Sequence, residues 1–161
     1  MNQFEHPLKL VTVSGLELSL RLLTEDDLAN VMELERSAHS HPWRLSSFED
    51  CLKGRQRCWL AEVNHKLVGY VVVTHAGGDA ELLNVAVSPR FQRKGIGSIL
   101  LQHAINCVIG HADMLFLEVR ISNQKAIELY SKEGFFEVGN RKNYYPTHNG
   151  HEDALLMASQ L

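Results

Sequence analysis

An α/β domain with helices interleaved among strands is the fold class this sequence predicts, and three observations carry it. Short runs rich in Val, Leu and Tyr recur between Gly-, Asn- and Asp-containing turns, as sheet strands do. Four other segments space their apolar residues as amphipathic helices do. The chain has 161 residues, 45% hydrophobic and 22% charged with four prolines, the composition of a folded globule. It contains no internal repeat, linker or low-complexity stretch, so residues 1–161 are read as one domain.

The elements follow in order. LKLVTVSGLELSLRLL alternates around Ser14-Gly15 and predicts an early hairpin, with residues 1–15 as an extension or extra strand. Thr24 with Asp27 three residues on forms a capping-box pattern before EDDLANVMELERSAHS, whose Leu28, Val31, Met32, Leu34 and Glu35 set one apolar side against a wet one. Pro42 ends that helix, and LSSFEDCLKG predicts a second. RCWLAEV, NHK and LVGYVVVTH predict a hairpin, and AELLNVAV the next strand. After QRKGIG, a helix is marked by Ile96, Ile99, Leu100, Ala104, Cys107 and Val108, and ends near Gly110. MLFLEVR is a strand. SNQKAIELYSKEG is a helix with Ser122 near its start and Gly134 at its end. FFEVGNRKNYY and DALLMAS close the chain as a strand pair joined by a loop, PTHNGHE.

Bulk properties exclude several function classes. Net charge is −3 and the pI about 6.3, which is not the balance of a nucleic-acid-binding polycation and leaves room for a basic ligand at a locally acidic site. Cys51, Cys58 and Cys107 are odd in number and form no C-x-x-C pair, so reduced thiols are expected. MNQFEHPLKLVTVSG lacks the basic-then-apolar layout of a signal peptide, and no apolar run reaches the ~20 residues of a membrane span. A soluble cytoplasmic protein is expected. His39 and His41, and His148 with His151, sit in expected loops with no third ligand indicated, so no metal is expected.

The stretch that carries chemistry is QRKGIG, residues 92–97, between a strand and a helix. The first turn of a helix has N–H groups without internal acceptors and the positive end of the macrodipole. Gly95 and Gly97 lack Cβ, so an anion can approach the backbone, and Arg93 and Lys94 add charge. A turn glycine adopted only for its backbone angles is the competing reading, and the turn alone divides the two evenly. The P-loop pattern is absent because no Gly-Lys-Ser/Thr occurs. A dinucleotide fingerprint needs three glycines opening an early βαβ unit, whereas two follow a run of hairpins here.

Gln92, Gly95 and Gly97 behind NVAVSPRF match Gln/Arg-x-x-Gly-x-Gly/Ala, and this resembles the acetyl-CoA site of the GNAT superfamily of N-acetyltransferases. The resemblance implies a GNAT fold, α+β, with a single mixed, mostly antiparallel central sheet flanked by about four helices. It implies acetyl-CoA as cosubstrate and no metal. Residues 92–97, with Ile96 among them, would hold the pyrophosphate, and Val85, Ala86 and Val87 would lie beside the pantetheine arm, whose amides pair with a strand edge as a peptide does.

HPW after the first helix, LEVRISNQKAIELYSKEGF and RKNYYP occur in order and narrow the resemblance to the bacterial ribosomal-protein alanine N-acetyltransferases, the RimI family. That family acetylates the N-terminal alanine of a small-subunit ribosomal protein, number eighteen. Carried over by position, Glu118 matches the general base, Tyr130 the proton donor to the leaving thiol, and Asn123 a coenzyme contact. The chemistry asks for such groups. An α-amine with a pKa near ~8 is largely protonated at neutral pH and must lose a proton before attack, and a thiolate with a reference pKa of ~8.5 leaves more readily when protonated. A strand amide near Val85–Val87 could polarise the thioester carbonyl.

Taken singly, these residues have plainer readings. Glu118 alone reads more readily as a strand carboxylate paired with Arg120 or Arg141, Tyr130 as a core aromatic, and Asn123 as a helix-start residue. Their joint occurrence behind the glycine turn favours catalysis. On the acceptor side, Tyr144 and Tyr145 suit the wall of a peptide slot or a sheet-packing pair, and Trp43 an acceptor contact or a core plug. Glu35 and Asp153 suit attraction of a basic peptide. The acceptor implied is a ribosomal-protein N-terminus, without direct nucleic acid or membrane contact, and the enzyme a monomer or weak dimer. The alternatives are a GNAT enzyme acting on a polyamine, antibiotic or lysine side chain, and a non-catalytic CoA-binding sensor.

Overall fold

The computed structural model describes residues 6–161. Strands β1 (Leu8–Val11) and β2 (Glu17–Leu22) form the hairpin expected around Ser14-Gly15. Residues 1–5 of the expected extension lie outside the described residues. Helices α1 (Leu28–Ala38) and α2 (Leu45–Leu52) follow, then β3 (Arg57–Val63), β4 (Lys66–Ala76) and β5 (Asp79–Val87). After the glycine turn come α3 (Ile96–Val108), β6 (Met114–Arg120), α4 (Gln124–Lys132), β7 (Phe136–Thr147) and β8 (Gly150–Gln160). All eight strands share one sheet in the order β1-β2-β3-β4-β5-β6-β8-β7, in which β5 and β6 are parallel and every other neighbouring pair is antiparallel. This is the mixed, mostly antiparallel sheet with four α-helices that the sequence predicts.

Central strands explain the apolar runs. On β3, Trp59, Ala61 and Val63 enter one core cluster while Cys58 and Leu60 enter the other, the alternation a strand imposes. The first cluster gathers α3 residues Ile96, Leu100, Leu101, Ala104 and Val108. The second gathers Val31, Met32 and Leu34 of α1 and Phe48 of α2 on the opposite face. Two covered faces require a nearly continuous apolar strand rather than an alternating one. Gly69 on β4 is needed where α3 crosses: a Cβ there would lie 2.9 Å from the Ala86 carbonyl oxygen and 3.1 Å from Leu100 Cδ1.

Two local readings change. PTHNGHE is not a loop, because β7 runs to Thr147 and β8 starts at Gly150, leaving a two-residue turn. Pro146 is tolerated within β7 because β7 is an edge strand, where a missing N–H costs no ladder bond on the outer side. The Thr24 capping box closes a 3-10 turn over Glu25–Asp27 that leads into α1, and Asp27 accepts from the Thr24 N–H and hydroxyl at 2.8 Å each. Asn123 caps α4, the helix-start role its residue type suggests when taken alone, with its Oδ1 accepting from the Ala126 N–H at 3.3 Å.

Candidate active site

The parallel pair β5–β6 provides the opening. The two strands pair from Asp79 with Met114 to Leu82 with Leu117 and then part. A register shift against β4 falls at Leu83, since Val73 faces Leu82 and Val72 faces Asn84. Such a bulge bends the strand that carries it, here at the point where β5 leaves β6. Beyond it, Val85 to Val87 remain paired with β4 alone. The Ser88 N–H donates to Val68 on the β4 side at 2.7 Å. Strand alternation then turns the backbone groups of Val87 and Val85 the other way, into the gap. Gln92 bridges back, its Nε2 donating to the Val87 carbonyl at 3.2 Å.

The turn after β5 is built from unpaired donors. Arg93 has φ 60° and Gly95, at the N-cap of α3, has φ 85°, two left-handed residues that curl the chain. The first helical bond of α3 is Ile99 N–H to the Gly95 carbonyl, at 3.2 Å. Among the described residues, the amides of 92–98 donate no intrachain hydrogen bond. A concave run of free N–H groups at a helix N-terminus binds anions. Beside it lies a strand edge with free amide groups. This donor set fits a diphosphate joined to an amide-bearing arm, which is the chemistry of CoA.

The two glycines have different reasons. Gly95 requires the left-handed conformation, and a Cβ there would sit 3.3 Å from Thr12 Cβ. Gly97 faces α4, and its Cβ would lie 2.9 Å from Leu129 Cδ2. That atom is the free end of a leucine side chain, so close packing on α4 comes in addition to the open approach that a missing Cβ gives the turn.

Across the gap stands Glu118, the first β6 residue past the β5 pairing, held by register with Leu156 of β8. Its carboxylate forms an ion pair with Arg141, Oε1 lying 2.9 Å from Nε. Hydrogen bonding to Glu118, and its charge, hold the Tyr144 phenol above its ordinary pKa. Burial first, then the charges of Glu118 and Tyr144, push Tyr145 up to about 12. Burial, with a smaller contribution from Tyr145, raises Tyr130 further above the usual phenol range. The Tyr130 and Tyr145 phenols are both protonated at neutral pH, as an unshifted phenol of pKa ~10 already is, and burial holds those protons more tightly. Tyr130 also packs against Phe135 with ring centroids 5.9 Å apart.

A bulge in β7 presents the tyrosines. Arg141 pairs with Ala154 and Tyr145 with Glu152, so three β7 residues oppose the single residue Asp153. Asn143, at φ 52°, donates its N–H to Asp153 Oδ1 at 2.9 Å. Asp153 therefore holds the bulge, a local structural role that the sequence reading did not include. Tyr144 and Tyr145 stand edge to face at 4.9 Å, with the Arg141 guanidinium 5.3 Å above Tyr144 and that of Arg120 4.6 Å above Tyr145. Arg120 is anchored by bonds to the Pro146 carbonyl at 2.7 Å and to Glu152 at 3.1 Å. These two arginines entered the sequence reading only as ion-pair partners.

Glu35 also departs from expectation. Instead of a surface acid it is 1% exposed, accepting from Tyr70 and Asn84, and from the Trp43 N–H at 2.9 Å. Trp43 is half-buried, 5.4 Å from Phe48 in the second core cluster. Among the described residues, no three His, Cys, Asp or Glu side chains gather into a group suited to a metal ion.

A splayed parallel pair, a turn of free amides and a carboxylate facing them define a transferase that holds a thioester carrier against an acceptor. The chain belongs to the acetyltransferase (GNAT) family, whose model matches residues 26–135. Among its relatives, the [Ribosomal protein bS18]-alanine N-acetyltransferase of Salmonella typhimurium is 37% identical over 141 residues, covering 87% of this chain and 95% of that protein. The protein of the same name from Escherichia coli strain K12 is 37% identical over 148 residues, covering 91% and 95%. The crystal structure of the Escherichia coli ribosomal-protein-S18-alanine N-acetyltransferase superposes with a TM-score of 0.82 at 36% identity, over 89% of this chain and 93% of that one. Arabidopsis thaliana NAA60 in complex with acetyl-CoA shares the fold, with a TM-score of 0.80 at 18% identity over 89% and 98% of the chains.

Proposed function

We propose that this protein transfers the acetyl group of acetyl-CoA to the α-amine of the N-terminal alanine of ribosomal protein bS18, with residues 1–161 acting as one N-acetyltransferase domain. The observation that carries the reading is the run of free amides at 92–98 beside the open edge of β5, facing Glu118 across the gap. The relatives named for this activity, 37% identical over most of both chains, support the acceptor.

In this reading the N–H groups of residues 92–97 take the diphosphate, with Arg93 and Lys94 adding positive charge, and Val85 to Val87 align the pantetheine amides. Asn123 contacts the coenzyme from the α4 cap. Acetyl-CoA supplies an activated acetyl thioester. Glu118 removes a proton from the acceptor ammonium, directly or through water. The freed nitrogen forms its bond to the acetyl carbon as the carbon–sulfur bond breaks. Tyr130 gives its proton to the departing sulfur, so that CoA leaves as the thiol, and the proton shed by the acylated nitrogen returns through water to the Tyr130 oxygen. Backbone N–H groups of the β5 edge polarise the thioester carbonyl. Tyr144 and Tyr145 wall the slot for the first residues of the acceptor. No nucleic acid or membrane takes part, and a monomer or weak dimer suffices. The cytoplasm suits the three free cysteines. No helix among the described residues is long and apolar enough to cross a membrane.

Thiol release from acetyl-CoA tests the acceptor with three substrates: a basic peptide starting with Ala, the same peptide blocked at its N-terminus, and spermidine. The open peptide alone should react. Turnover of the blocked peptide through its lysines, or of spermidine at a comparable rate, would refute the α-amine assignment.

A further inference from the structure

The turn between β1 and β2 touches the turn of free amides, 80 residues away in sequence, and the proposed reaction leaves that contact unused. Thr12 is only 4% exposed although it lies on the outermost hairpin of the sheet. This small turn is closed on itself. The Leu16 N–H donates to the Thr12 hydroxyl at 3.0 Å, and the Thr12 N–H donates to the Leu16 carbonyl at 2.9 Å. The Gly15 N–H donates to the Thr12 carbonyl at 2.9 Å, and the Thr12 and Ser14 hydroxyls share a bond at 3.0 Å. From this rigid turn the Ser14 hydroxyl donates to the Lys94 carbonyl at 3.3 Å. Thr12 packs on the next residue, where a Cβ on Gly95 would come within 3.3 Å of its own.

That bond fixes an orientation. Lys94 C=O and Gly95 N–H belong to one trans peptide plane and point in opposite directions. With its carbonyl drawn toward Ser14, the plane directs the Gly95 N–H away from the hairpin, where it has no intrachain acceptor. A rotation of that plane would replace a donor with a carbonyl oxygen and repel an anion. We propose that Ser14, held by Thr12, is a positioning residue for the coenzyme: its bond to the Lys94 carbonyl locks the Gly95 N–H toward the diphosphate. The hairpin thus preorganises a loop that otherwise has few bonds of its own, so less ordering is spent on binding.

The inference rests on the proposed use of CoA, and titration calorimetry with CoA separates the two. No heat of binding with the unaltered protein overturns the CoA reading itself, and this inference with it. If the unaltered protein binds, Ser14→Ala should weaken CoA about five-fold, the scale of one net hydrogen bond. The KM for acetyl-CoA should rise by the same factor, with kcat and the acceptor KM within about two-fold. Ser14→Thr, which keeps the hydroxyl, should restore affinity, and Val13→Ala, at the same exposed tip, should leave it unchanged. Thr12→Val should act in the same direction as Ser14→Ala. Equal CoA affinity in Ser14→Ala, or a parallel fall of kcat, both KM terms and melting temperature, would overturn the positioning role.

Discussion

Replacing Glu35 with alanine should cost more stability than any surface substitution in the molecule. The carboxyl group is 1% exposed and gathers three donors from three elements: the Tyr70 hydroxyl on β4, Asn84 Nδ2 on β5, and the Trp43 N–H after α1. Each buried hydrogen bond contributes on the order of 1 kcal/mol net, and a buried donor left unpaired costs roughly 1–3 kcal/mol. Tyr70 is fully buried and Asn84 and Trp43 are part-buried, so water replaces the carboxyl only in part. The sum is about 3–4 kcal/mol. For a chain of this length about 1 kcal/mol moves the melting temperature roughly 2–4 °C, so a fall of roughly 6–16 °C is expected. Glu35→Gln should cost about half as much, because the amide oxygen still accepts from one donor while Tyr70 and Asn84 reorient. Differential scanning calorimetry, with urea unfolding as a check, reads both variants. A loss below ~1 kcal/mol in Glu35→Ala would mean that this network does not hold α1 against the sheet.

Gly69→Ala places a methyl 2.9 Å from a backbone oxygen of β5 and should cost about 1–3 kcal/mol by overpacking, visible as a lower urea midpoint. Asp27 is held at about 2, below its ordinary 3.8, chiefly by its hydrogen bonds with Arg21. Its contribution to stability is present above pH ~4 and lost as pH falls through about 2, and Asp27→Asn should flatten that part of the acid-unfolding curve. Glu118→Gln and Tyr130→Phe should each lower kcat by about 10²-fold while CoA affinity stays within a few-fold, measured by thiol release and calorimetry. Unchanged turnover in both would remove the two role assignments.

Where structure depends on a short stretch of chain, the sequence was readable. Val-rich strands, the Ser14-Gly15 and Asn64-His65 turns and the apolar face of α3 all declare themselves locally. QRKGIG was legible as a donor turn because free amides follow from a left-handed glycine opening a helix. Features that depend on a distant partner were not. Glu35 sits beside the apolar residues of α1, and Tyr70 and Asn84, 35 and 49 residues on, join the Trp43 N–H in making its burial tolerable. The β7 bulge needs Asp153 to accept from Asn143, and Pro146 within β7 masks the strand's true length. Gly97 carries the same local signal as Gly95, and its contact with Leu129 of α4 is not visible in that signal. Asn123 caps α4, and among the described residues that capping bond is all the structure shows for its side chain.

Amide hydrogen exchange at residues 92–98, resolved by NMR with and without CoA, bears most directly on how this molecule holds its cosubstrate. In the free protein these amides should exchange quickly, having no intrachain acceptors, and saturating CoA should slow several of them, Gly95 and Gly97 among them, by an order of magnitude or more. Slow exchange before CoA is added, or rates that CoA leaves unchanged, would contradict the account.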